Sequence, residues 1–164
     1  MDDVKPDGLY ERDALAWAEQ QAALLRRLAA GEAVNEVVDW PNVIEEVEDV
    51  GLSQLRACRS LLRQALVHLL KLQAWPDSLA AGHWRGELAG FLIDARDCFT
   101  SSMRQRIDLS DIYSAALIQV RSGANETASP RPLAETCPFA LDELLAKPPD
   151  VSALSAKLAQ ASAA

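Results

Sequence analysis

Aromatic side chains, glycine and proline are all scarce in this sequence. Its 164 residues include four tryptophans, two tyrosines, three phenylalanines, seven glycines and eight prolines. A β-sandwich or barrel needs many short strands and a turn every few residues, so this poverty of turn formers argues against an all-β chain. Cysteine is also sparse. Cys58, Cys98 and Cys137 stand about forty positions apart without a CxxC or Cys/His pattern, which predicts free thiols and no cysteine zinc site. Positive charge is in deficit: 16 Lys and Arg face 24 Asp and Glu, a formal net charge of −8. A phosphate-binding surface needs the opposite balance, so no nucleic-acid partner is expected. The densest basic group of the second half, Arg96, Arg104 and Arg106, is interspersed with Asp94, Asp97 and Asp108. No apolar run approaches the roughly 20 residues that cross a bilayer. The acidic start MDDVKPDG lacks the apolar centre of a signal peptide. The expectation is a cytoplasmic protein that engages no membrane.

What is abundant is alanine and leucine in helical spacing. Tyr10, Ala14, Trp17, Gln21, Leu24 and Leu28 recur at threes and fours, predicting a first helix that Gly31 closes. A second helix opens at Asp39 as N-cap, tolerates Pro41 in its first turn and ends before Trp75-Pro76. Its stripe runs Ile44, Val47, Gly51, Leu55, Cys58, Leu62, Leu66 and Leu69, about 45 Å of helix at 1.5 Å per residue. Ser78 opens a third helix with Trp84, Leu88, Phe91, Ala95 and Phe99 inward. Gly82, Gly86 and Gly90 line one side of it, either as a close helix contact or as a surface that tolerates glycine. A fourth helix is expected from Met103 to Arg121, marked by Ile107, Ile112, Ala116 and Val120. Residues 122–132 form a polar loop, and CPFALDELLAKPP holds a short helix. The predicted fold is all-α: a single-domain helical bundle with one long central helix and a short C-terminal helix packed on it. Residues 1–8 are a loose lead-in, 9–148 the helical domain, and 149–164 a tail expected to be partly helical.

The stretch DWPNVIEEVEDVG, residues 39–51, is the chemically richest. With Ile44 as zero and about 100° per residue, Glu48 falls near 40°, inside the apolar sector, and Glu45 near 100°. Asp49 and Glu46 fall near 140° and 200°, on the expected solvated face. A carboxylate facing a core must be paired, protonated or metal-bound, so Glu48 is expected to hold an internal partner. Glu45 with Glu48 or Asp49 has the spacing to share a divalent cation, though no Glu-x-x-His accompanies it. On the same helix His68 and Lys71 are three apart, and His68 lies more than roughly 30 Å beyond Glu46 unless the helix breaks at Gly51. Glu45, Glu46, Glu48, Asp49, His68 and Lys71 form the candidate polar cluster. The acids also resemble the first half of the E-E-x-x-E magnesium motif of helical nucleotide pyrophosphohydrolases. The second half is missing, with Asp94-x-x-Asp97 and Asp108-x-x-Asp111 its nearest substitutes. No catalytic residue and no bound cofactor is assigned.

One resemblance covers most of the chain. It rests on Tyr10-x-x-Asp13-x-x-x-Trp17-x-x-x-Gln21, then Asp39-Trp40-x-Asn42-x-x-Glu45-Glu46-x-Glu48-Asp49-x-Gly51-x-Ser53. His68-Leu69-Leu70-Lys71-x-Gln73 and Cys137-Pro138-Phe139 with Leu144-Leu145 follow in order. This series resembles the bacterial "domain of unknown function 29" family over about residues 8–148. The resemblance implies a small all-helical bacterial protein and no reaction. The sequence departs from the family at Gly82, Gly86 and Gly90 and in the tail after Asp150. The leading expectation is a non-catalytic interaction or regulatory module, with an unknown protein partner or self-association. In it Asp39 caps the second helix and Trp17, Trp40 and Trp84 fill the core. The alternative is a divalent-metal or nucleotide-handling enzyme built on the helix-two carboxylates, with His68 brought in across the fold.

Overall fold

A computed structural model describes residues 8–34, 37–123 and 129–163. Among the described residues every regular element is helical, so the fold is all-α, dominated by one long helix. The chain divides into two compact units, Met1–Leu52 and Ser53–Ala164.

The first unit contains α1 (Leu9–Arg12), α2 (Ala14–Ala29) and the opening turns of α3 (Trp40–Ala74). The single first helix expected from spacing is two. Asp13 leaves the helical region at φ −154°, and its carboxylate accepts the Ala16 amide at 3.0 Å, starting α2 afresh. A side chain that competes for backbone donors interrupts a helix in this way. The α2 stripe buries Trp17, Gln21 and Leu24, and Gly31 follows at φ 77°, where a side chain would be strained. The early turns of α3 are rotated relative to the expected stripe. Asn42 and Val43 are half-buried and Glu46 bonds Tyr10, whereas Ile44, Val47 and Glu48 are exposed. Glu48 therefore faces water and needs no buried partner, and Trp40, expected in the core, is 52% exposed. Extending the stripe of the later turns backwards assumed the same neighbours all along the helix. In the first unit the neighbours are α1 and α2, which meet a different side.

The second unit holds the rest of α3, α4 (Ala81–Cys98), α5 (Leu109–Ser122), α6 (Leu141–Leu144) and α7 (Val151–Ser162). The α3 helix runs unbroken through Gly51 and ends at Ala74, immediately before Trp75-Pro76. Its core stripe, Leu55, Cys58, Leu62, Leu66 and Leu69, is buried as expected, together with Ala65 and Leu70 on either side. Each fully buried leucine contributes about 1.5–3 kcal/mol relative to exposure. Ser78 accepts the Ala80 amide at 3.2 Å, but α4 begins three residues later, so the serine shapes the turn before the helix. Trp84, Leu88, Leu92 and Ala95 face inward from α4. A side chain at Gly82, Gly86 or Gly90 would meet nothing within 4 Å, so these glycines line open surface and make no close helix contact.

The expected fourth helix is interrupted as well. A 3-10 segment at Ser101–Arg106 precedes α5, whose N-cap Asp108 accepts the amides of Ser110 and Asp111. Of the expected polar loop, residues 124–128 lie outside the described residues, as does most of the N-terminal lead-in. The short helix is the single turn α6. Much of the tail forms α7, which buries Leu154 and Leu158.

Candidate functional site

In the first unit, four residues of the sequence motif lock together. Trp17 and Gln21 sit one turn apart on α2, and Asp39 and Asn42 flank the start of α3. The Trp17 indole N–H donates to Asp39 Oδ2 at 3.0 Å, and the Asn42 side-chain amide donates to the same oxygen at 2.7 Å. The Asp39 backbone N–H donates to Gln21 Oε1 at 2.9 Å. Asp39 thus holds the N-cap position, but its bonded carboxylate oxygen is occupied by side chains. It is 5% exposed, and its Oδ1 is buried without a hydrogen-bond partner. Burial of a carboxylate is tolerated where such donors surround it.

Beside this lock, the Tyr10 hydroxyl donates to Glu46 Oε1 at 2.7 Å and its ring meets Trp17 edge-on at 4.8 Å. The hydrogen bond, chiefly, pushes the Tyr10 hydroxyl up to about 12 from 10. Tyr113, in the second unit, is also pushed up to about 12, here chiefly by burial; its hydroxyl donates to the Ala134 carbonyl at 2.8 Å. A phenol held above its unfolded value stabilises the fold fully below pH 10, and that contribution is lost as pH rises through about 12. In an ultraviolet titration of tyrosinate, neither ring is expected to ionise near pH 10, and stability should fall between about pH 10 and 12. Ionisation of either tyrosine near 10 in the folded protein would contradict this account.

The four acids of the candidate cluster all lie on the exposed surface of α3's first turns. Glu46 is the one tied to Tyr10. Beside them Trp40, Ile44, Val47 and Val50 form an exposed apolar row, with Val47 69% exposed. His68 and Lys71 belong to the second unit. His68 is buried, with Nδ1 2.8 Å from the Gln64 carbonyl and Nε2 2.8 Å from Glu87 Oε2, and its ring packs on Phe91. His83, one turn before Glu87 on α4, reaches the same carboxylate oxygen at 3.2 Å. The Lys71 ammonium lies 5.4 Å from the Trp84 ring centroid. Glu87 is the residue of this cluster that the sequence reading missed. Its signal was the i,i+4 spacing from His83, while its pairing with His68 crosses between helices. Among the described residues, no three His, Cys, Asp or Glu side chains come together as a metal ion would require.

Two further features were not read from the sequence. Cys58 and Cys98 both direct their thiols at the Ala95 carbonyl, at 3.6 and 3.3 Å, and burial with the neighbouring thiol pushes Cys58 up to about 12. A groove of about 260 Å³ opens between α3 and α5, walled by Arg56, Arg59, Ser60 and Arg63 opposite Asp111 and Ile112. Arg59 pairs with Asp111 at 2.7 Å.

The fold and the motif lock define a small all-α protein organised on one long helix, with no helix among the described residues long and apolar enough to cross a membrane. The chain belongs to the family described as Domain of unknown function DUF29, whose model matches residues 9–148. It is also similar to an α-helical protein of unknown function from Rhodospirillum rubrum, known from a crystal structure. The two share 30% identity at a TM-score of 0.69, over 91% of this chain and 96% of that one. Among curated proteins, none matches the chain. Of the motif residues on which the resemblance rests, Trp17, Gln21, Asp39 and Asn42 meet at one place, whereas His68 and Lys71 lie in the second unit.

Proposed function

We propose that this chain is an interaction module that binds another protein through the exposed face of α3 in its first unit, in the bacterial cytoplasm. The observation that carries the reading is the row Trp40, Ile44, Val47 and Val50, exposed on a helix start that a buried network holds rigid. Contiguous apolar surface with a charged border is the mark of a docking surface. Glu45 and Glu48, both exposed, lie beside Ile44 at the edge of the row and call for a partner surface with positive charge. Three free thiols fit a reducing compartment.

A photo-reactive amino acid placed at Val47 in cells tests the reading, with Ser114, exposed on α5, as control position. A discrete crosslinked protein from Val47 and none from Ser114 is expected. No adduct, or the same adducts from both positions, would count against a docking face.

A further inference from the structure

Two thiols in the second unit are drawn to one backbone atom that does not need them. The Ala95 carbonyl takes the Cys58 thiol from α3 at 3.6 Å and the Cys98 thiol from its own helix at 3.3 Å. It also accepts the Phe99 amide at 3.1 Å, the bond that closes α4. A thiol is a weak donor, so the amide satisfies this carbonyl without either sulfur. The shared oxygen instead keeps two sulfurs side by side between α3 and α4, close enough for the Cys98 thiol to act on Cys58 by hydrogen bonding and by charge. We propose that Cys58 and Cys98 are a redox-sensitive pair, which a peroxide converts to a disulfide joining α3 to α4 and a dithiol reopens.

Access sets the order of events. Cys58 is fully buried, whereas Cys98 is half-buried at the last residue of α4. Peroxide therefore meets Cys98 first. The Cys98 sulfur takes one peroxide oxygen, the O–O bond breaks, and the thiol becomes a sulfenic acid while the other oxygen leaves as water. The Cys58 sulfur then attacks the Cys98 sulfur, the S–O bond breaks, and the departing hydroxide takes the Cys58 proton as a second water. Two thiols have lost two electrons, and one peroxide has become two waters. Burial first, and then the neighbouring thiol, pushes Cys58 up to about 12, so it remains a thiol at rest and is a poor target for peroxide. Its attack on Cys98 is slowed for the same reason and is aided by position, with the target sulfur held beside it. The end of α4 gives the room to close. Phe99 is already extended at φ −71° and ψ 134°, so Cys98 can shift without disturbing a helix interior. Thiols at rest and a disulfide only under oxidant suit a reducing compartment.

The full chain, reduced and then treated with hydrogen peroxide, is expected to lose two of its three titratable thiols. Its mass should fall by two hydrogens while it still runs as one chain in non-reducing electrophoresis. Peptide mapping should join the Cys58 peptide to the Cys98 peptide, and dithiothreitol should restore all three thiols. Cys137→Ser is expected to leave this crosslink unchanged. Cys58→Ala should stop the reaction at Cys98, where dimedone labels a sulfenic acid that the wild type passes through only briefly. Cys98→Ser should leave Cys58 reduced. Circular dichroism establishes that each variant is folded, and if one is not, the wild-type peptide map decides alone. A wild type that keeps three thiols would overturn the proposal, as would a disulfide to Cys137 or between chains. So would Cys98 driven to sulfinic acid with Cys58 still free, which would mean that the two sulfurs do not meet.

Discussion

Leu158→Ala is expected to lower the unfolding free energy by about 2–5 kcal/mol, as large-to-small changes at sealed core positions do. Leu158 is fully buried although it lies beyond the residues that the family model matches. Its helix α7 is anchored at three further points. Leu154 is buried with it. The Ser162 hydroxyl accepts the Ala134 amide at 3.0 Å, and the Lys157 ammonium reaches both Glu143 carboxylate oxygens at 2.7 Å. The Ala134 carbonyl also takes the Tyr113 hydroxyl, so the end of α7 and the core of α5 meet on one residue. Urea unfolding followed by circular dichroism measures the change. A shift within about 0.5 kcal/mol, typical of a surface substitution, would show that α7 is an appendage. A chain ending at Asp150 loses both leucines together and is expected to lose cooperative unfolding of the second unit.

The same helix shows where sequence reasoning stops. VSALSAKLAQASAA carries Leu154 and Leu158 four apart, enough to predict some helix, but nothing local says that they reach the core. Features set by the chain's own neighbourhood were legible. Gly31 adopts the left-handed conformation expected after α2, α3 ends before Trp75-Pro76, and the stripe from Leu55 to Leu69 is buried. Two interruptions were not, because Asp13 and the Ser101–Arg106 segment break helices whose apolar spacing continues across them. The candidate site divides similarly. The acids were visible as a cluster, but none of them faces the core, and which of them meets α1 depended on where α1 and α2 sit. Glu46 rather than Glu48 bonds Tyr10, and Trp40 is left outside. Pairs between helices, such as Cys58 with Cys98, His68 with Glu87 and Arg59 with Asp111, have no local spacing to betray them.

The first unit has a different weak point. Asp39→Ala removes the acceptor of the Trp17 indole, which is buried and has no water to turn to. A buried donor stranded in this way costs about 1–3 kcal/mol. Asn42, half-buried, recovers part of its loss from solvent. The change also relieves the burial of Oδ1, which has no partner, so the net effect stays within that range. Asp39→Asn retains a carbonyl oxygen for the indole and is expected to keep most of the stability. The consequence should be local, because the Asp39 side-chain bonds reach Trp17 and Asn42 and its amide reaches Gln21, all within the first unit. Amide hydrogen exchange of Asp39→Ala should therefore quicken across α2 while Leu62, Leu66 and Leu88 in the second unit keep their protection. Uniform acceleration in both units would mean that they unfold together. No acceleration in α2 would mean that the tryptophan–aspartate contact adds nothing to the first unit. If α2 loosens as expected, a photo-reactive group at Val47 placed in the Asp39→Ala variant should crosslink less, because the docking row is mounted on the helix start that this contact holds.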